Sequence, residues 1–104
     1  MLLLDRVTAT GPGEWKRVRG VPRTFQAQGK TTSGNGAAVI DIEVSNDGVN
    51  PIPLPLETFS LSLTANIASP GPAAFESDAQ YDYVRGNVKT LTGTGAEASL
   101  LMGI

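Results

Sequence analysis

Three groups of side chains in this 104-residue chain have the types and spacing to do chemistry. Ser45-Asn46-Asp47-Gly48 sets a hydroxyl, an amide and a carboxylate side by side. Glu76, Asp78 and Asp82 could supply a carboxylate pair, which serves as general acid and base where a cleft raises one pKa. Lys16, Arg17, Arg19 and Arg23 form the one basic cluster, with Trp15 among them and only Glu14 opposing. Each group also has a plainer reading. Asp-Gly suits tight hairpin turns and Asx side chains bond neighbouring backbone N–H groups, so Ser45–Gly48 reads first as a turn. Its acidic positions do not match the spacing of an EF-hand calcium loop. Tyr81 and Tyr83 interleave the acidic stretch, which is the pattern of a strand's solvent face. On an extended segment Trp15, Arg17 and Arg19 share a face, and Trp and Arg are the types enriched at interface hot spots. The alternative for Trp15 is a place in the core of a small sandwich.

The chain contains no cysteine and no histidine, which excludes disulfides, thiolate or imidazole metal sites and His-based triads. A formal net charge of -2 gives no global case for nucleic-acid binding. Charged residues make up 17% of the chain, below the usual quarter or so, so part of the surface is uncharged, as suits a protein held against a partner. The run Leu2-Leu3-Leu4 stops at Asp5-Arg6, too short for a secretory segment of roughly 7–15 apolar residues, and nothing approaches a membrane-spanning helix. Synthesis in the cytoplasm without an export signal is the expectation, with no membrane partner.

The elements that must carry these groups are strands. Twelve Gly and seven Pro interrupt every window that could hold a long helix, and alternation with period two is frequent. Ala38, Ile40, Ile42 and Val44 alternate with Asp41, Glu43 and Ser45. Phe59, Leu61 and Leu63 alternate with serines and a threonine. Val84, Gly86 and Val88, and later Ala96, Ala98, Leu100 and Met102, continue the pattern. The pattern predicts strands near 2–9, 14–19, 23–29, 37–45, 57–64, 80–91 and 96–102, in one domain spanning 1–104. The expected fold is all-β: an antiparallel β-sandwich or jelly-roll-like domain of about seven to eight short strands. Gly34-Asn35-Gly36 and Gly93-Thr94-Gly95 read as two hairpin turns, whether by duplication or independently. Pro51, Pro53 and Pro55 cannot sit in a central strand and mark an extended edge or ordered loop. Residues 68–72 form a second loop. The apolar residues at both ends of the chain either form edge strands or dock on a neighbouring subunit, with 1–12 as an N-terminal arm.

Two ordered sets of motifs carry a family resemblance. One is Thr24-Phe25-Gln26-Ala27, Ser33-Gly34-Asn35-Gly36-Ala37 and Ile42-Glu43-Val44-Ser45-Asn46-Asp47-Gly48. The other is Ser60-Leu61-Ser62-Leu63, Tyr83-Val84-Arg85-Gly86-Asn87-Val88 and Thr92-Gly93-Thr94-Gly95-Ala96. In this order, over roughly residues 20–103, the chain resembles small tailed-phage virion proteins, some of which are capsid decoration (cement) proteins with a jelly-roll-like fold. Where such proteins tend to carry Asn-Trp after the turn, this chain has Asn50-Pro51 and a proline-rich insert. The resemblance implies a non-enzymatic homo-oligomer on the outer capsid surface of a virion, bound to the major capsid protein, with no catalytic residue, cofactor or metal. Expected contact residues are Leu2, Leu3 and Leu4 of the arm, Trp15, Arg17 and Arg19 of the basic strip, and Pro51, Pro53 and Pro55. A tail, fibre or adaptor component is the alternative within the virion. The Ser45–Gly48 run also resembles turns of discoidin-like sugar-binding modules, in which case Trp15, Tyr81 and Tyr83 would be sugar-stacking rings.

Overall fold

A strand with apolar residues at every second position has one face to bury, and two such sheets bury it against each other. The computed structural model describes residues 1–18, 23–65, 73–77 and 81–103, with backbone alone for 23 and 73–77. Among them are nine strands and no helix. They are β1 (Leu2–Val7), β2 (Gly11–Pro12), β3 (Lys16–Arg17), β4 (Arg23–Lys30), β5 (Ser33–Ser45), β6 (Glu57–Leu63), β7 (Ala73–Ser77), β8 (Tyr83–Thr94) and β9 (Glu97–Gly103). The first sheet has the order β1-β9-β4-β7 and the second β2-β8-β5-β6, with β3 pairing β8 beside β2.

That order has a simple origin. β1 pairs with β9, β2 and β3 with β8, β4 with β7 and β5 with β6, all antiparallel. The first half of the chain is thus paired with the second half in reverse. Rolled up so that β9 also meets β4 and β8 also meets β5, such a ribbon is a jelly roll. The expected all-β sandwich is present, and the strand order resolves which kind it is.

The inward faces are those the alternation marks. Ile40, Ile42, Phe59, Leu63, Val84, Val88, Leu100 and Met102 are buried in one core with Phe25 and Ala27 of β4. Fully burying a large apolar side chain contributes about 1.5–3 kcal/mol, and the core is the main source of stability. Leu3 and Leu4 belong to it too. The N-terminal segment is therefore not a projecting arm: β1 is an edge strand, its Met1 N donating to Met102 O at 2.9 Å.

Two further expectations change, and one strand, β7, is added. The segment 14–19 is not a continuous strand: of its described residues only Lys16 and Arg17 pair with β8, and Gly11, Pro12 and Gly13 separate this piece from β1. Only Lys16–Arg17 forms the ladder proper, flanked by bonds from Gly13 N to Gly86 O and Val18 N to Asp82 O, both 2.7 Å. β7 lies where the sequence shows no clean alternation. The two Gly-x-Gly motifs are not hairpin turns. Gly34-Asn35-Gly36 lies inside β5 as a bulge, since Ser33 pairs with Thr94 and Ala37 with Thr92, leaving three residues opposite Gly93 alone. The second motif carries the chain from β8 in one sheet to β9 in the other. The loop at 68–72 lies outside the described residues.

Candidate contact surface

β3, β8 and β5 present the sequence's candidate residues on the outer face of the second sheet. Val84, Gly86 and Val88 face inward, so Arg85 and Asn87 face out, as do Asp41 and Glu43 on β5. Register places Glu43 beside Arg85, and their side chains meet at 2.6 Å through Arg85 Nε and Glu43 Oε1. Asn87 Nδ2 donates to the other carboxylate oxygen at 3.0 Å. Burial works against the Glu43 charge, but the bonds from Asn87 and Arg85 and the positive charges of Arg85 and Lys89 outweigh it and hold the pKa below the ordinary value. Trp15 covers this pair, with the Arg85 guanidinium 4.2 Å from the ring centroid in a cation–π contact.

Trp15 is therefore neither a core residue nor an open platform. It is half-buried on the outside of the sheet, and its cationic partner is Arg85, which sequence reasoning left unmarked. The signal was present in the outward position of Arg85 on an alternating strand, but its pairing with Trp15 depends on β3 lying beside β8. Arg17 is exposed and sits opposite Tyr83 at the same edge. Arg19 lies outside the described residues, as do Asp78 and the side chains of Arg23 and Glu76.

Ser45–Gly48 is a structural turn opening an eleven-residue connection, 46–56, between β5 and β6. Ser45 Oγ donates to Asn50 O at 2.7 Å and accepts from Asp47 N and Gly48 N. Asp47 Oδ1 accepts from Val49 N and Asn50 N, each at 2.8 Å, while Oδ2 accepts from Asn50 Nδ2 at 2.9 Å. The bonds from Asn50 and Val49 hold the Asp47 carboxyl far below the usual carboxylate range. Both its oxygens are engaged inside the turn, which leaves this carboxylate unsuited to proton transfer.

Beyond the turn the loop is apolar and exposed. Pro51, Pro53 and Pro55 are all exposed, and between and before them Val49 is 72%, Ile52 40% and Leu54 78% exposed. The backbone is nonetheless tied down, by Ile52 N to Val44 O at 2.9 Å and Leu56 N to Ile42 O at 2.8 Å. Gly48 lies directly against the Tyr83 ring, which joins this loop to the Trp15–Arg17 edge. β8 runs toward the bend at Gly95 and β9 away from it, so the start of β8 and the end of β9 lie at one pole. Gly86 facing Leu4 and Leu100 across the core fixes the same alignment. The exposed Met1 and Leu2 are therefore at the loop's end of the molecule, whereas Leu3 and Leu4 are buried and contact nothing outside it.

An open depression of about 300 Å³ on the first sheet is lined by Met1, Thr24, Gln26, Leu101 and Gly103, among others, with no charged side chain among its lining residues. Among the described residues no three Asp or Glu side chains converge as metal ligands, and no helix is long and apolar enough to cross a membrane. The three rings that a sugar-binding reading needs are not arrayed together: Tyr81 is buried, Tyr83 is packed by Gly48, and Trp15 is capped by Arg85.

Fold and surface together define a jelly-roll sandwich whose distinctive exposed feature is an apolar, proline-stiffened pole. Comparison with protein-family models, curated proteins and solved structures finds no match to the chain.

Proposed function

We propose that the chain is a virion structural protein of a tailed bacteriophage, a decoration protein that binds the outer surface of the capsid and stabilises the shell without catalysis. The observation that carries the binding role is the loop at 49–55: an ordered, uncharged segment that keeps Val49 and Leu54 largely in water. An exposed apolar patch of this kind marks an interaction surface, and prolines limit the ordering entropy lost when it docks. The Trp15–Arg85 pair and Arg17 border it and supply the residue types that anchor interfaces. The class of target, a phage shell, comes from the order of motifs along the chain, and the jelly roll agrees with what that resemblance implies. Mechanically, the protein would bury its pole against the major capsid protein, and many identical copies would multiply a modest contact into resistance to rupture.

The expectation for the contact residues narrows accordingly. Pro51, Pro53, Pro55, Leu2, Trp15 and Arg17 remain available on the surface, while Leu3 and Leu4 belong to the core. Counting copies of the chain per major capsid protein in purified virions, by quantitative mass spectrometry, tests the proposal. A count of the same order as the capsid protein is expected. Single digits or low tens would move the chain to the tail or an adaptor ring, and absence from virions would overturn the reading.

A further inference from the structure

The four edges of the two sheets are not equally guarded. β1 carries two register irregularities against β9, a positive φ of 46° at Arg6 and the charges of Asp5 and Arg6. The β2–β3 side is broken by Gly11, Pro12 and Gly13. Such bulges, prolines and charges are the devices that stop strands from adding to a sheet. The side chains of β7 lie outside the described residues. β6 has only one charge, Glu57 at its first position, and no other such device. Its seven residues run in unbroken register with β5, from Glu57 opposite Ile42 to Leu63 opposite Gly36, without proline, glycine or bulge. No described strand pairs with its other side, so every second residue directs backbone N–H and C=O groups outward.

We propose that β6 is the seam of a two-fold homodimer, in which β6 of one copy pairs antiparallel with β6 of the other. The pattern of the strand is self-complementary. A dyad through Ser60 sets Ser60 against Ser60 and Thr58 against Ser62 on the exposed face, pairs suited to hydroxyl hydrogen bonds. On the buried face it sets Phe59 against Leu61, so the two cores abut along the seam. Glu57 falls opposite Leu63, and no like charges meet. An antiparallel pair of identical strands is isologous, which closes the assembly at two copies at this edge. The seam lies along the side of the sandwich and leaves the apolar pole of each copy free. The inference concerns the isolated chain and stands or falls independently of the capsid reading.

Sedimentation analysis of the purified chain beside Ser60→Lys, Ser60→Glu and their equimolar mixture tests it. Ser60 is exposed, so both variants retain the wild-type fold by circular dichroism. The wild type is expected to be dimeric, each variant alone to dimerise at least tenfold more weakly, and the mixture to regain the dimer because opposite charges then meet at the dyad. A monomeric wild type, or an assembly unchanged by Ser60→Lys, would overturn the proposal. Amide hydrogen exchange on the wild type gives a check without substitution. Outward-facing β6 amides should gain protection as concentration rises, and protection independent of concentration would also overturn it.

Discussion

At the scale of single residues, Asp47, a carboxylate that looks reactive in the sequence, is one the structure uses to hold a turn together. Asp47 has a folded pKa far below its ordinary value of 3.8 because three N–H groups, those of Asn50 N, Val49 N and Asn50 Nδ2, address its two oxygens. A depressed pKa contributes stability that is fully present above the unfolded value and lost as pH falls through the folded one. Thermal unfolding followed from pH 6 downward should therefore show Tm falling below about pH 4, and Asp47→Asn should both lower Tm at pH 6 and flatten that acid dependence. Glu43 acts in the same direction through Arg85 and Asn87. Replacing Arg85 by Met leaves Glu43 without its cation in a half-buried site, at a cost of about 1–3 kcal/mol. Trp15 is the one tryptophan of the chain, so the same substitution should shift its fluorescence emission. An unchanged spectrum would mean that the stacking does not persist in solution.

At the scale of elements, the two Gly-x-Gly motifs act as one structural feature. β4 bends into β5 at Thr31–Thr32 and β8 into β9 at Gly95, and the two bends lie side by side, with Thr32 N donating to Thr94 O at 2.9 Å. A Cβ on Gly36 would run into the Thr92 carbonyl oxygen, and one on Gly93 would sit 2.7 Å from Thr31 Cγ2. Gly93 also adopts a φ of 114°, closed to other residues. Thr31 is completely buried at this crossing and donates to Gly34 O. Gly36→Ala should accordingly destabilise by about 1–3 kcal/mol or more through backbone displacement. Gly34→Ala, which meets open space and bears only the left-handed backbone term, should cost about 1 kcal/mol. Denaturant titration of both variants checks the contrast, and equal effects would remove the close approach as the reason for glycine. In the sequence both motifs read as hairpin turns, because the contact between them joins segments far apart along the chain.

At the scale of the molecule, 39 × 22 × 20 Å in extent, function divides between poles. The bend is built of threonine and glycine. The opposite end carries Val49, Ile52, Leu54 and Leu2. The double substitution Val49→Asp, Leu54→Asp removes apolar surface that the isolated fold does not use, so stability should stay within about 0.5 kcal/mol. On the proposed function, occupancy of the shell should fall at least tenfold in a binding assay with capsids stripped of the protein. Undiminished occupancy would move the contact to the outer sheet face around Trp15 and Arg17.

Alternation by itself determined which residues of β5, β6, β8 and β9 form the core, because a pleated strand assigns faces by parity alone. Local turn chemistry likewise identified Ser45–Gly48 as a turn, since its partners lie within five residues. β7 was not legible, as Ala73-Ala74-Phe75-Glu76-Ser77 is too short to show a period. Nor could the sequence tell that Trp15 meets Arg85, that Leu3 and Leu4 are internal, or that the sandwich is a jelly roll. Those facts are pairings between segments tens of residues apart. Only the rolling of the ribbon decides them, because the backbone groups that make such contacts are the same in every strand.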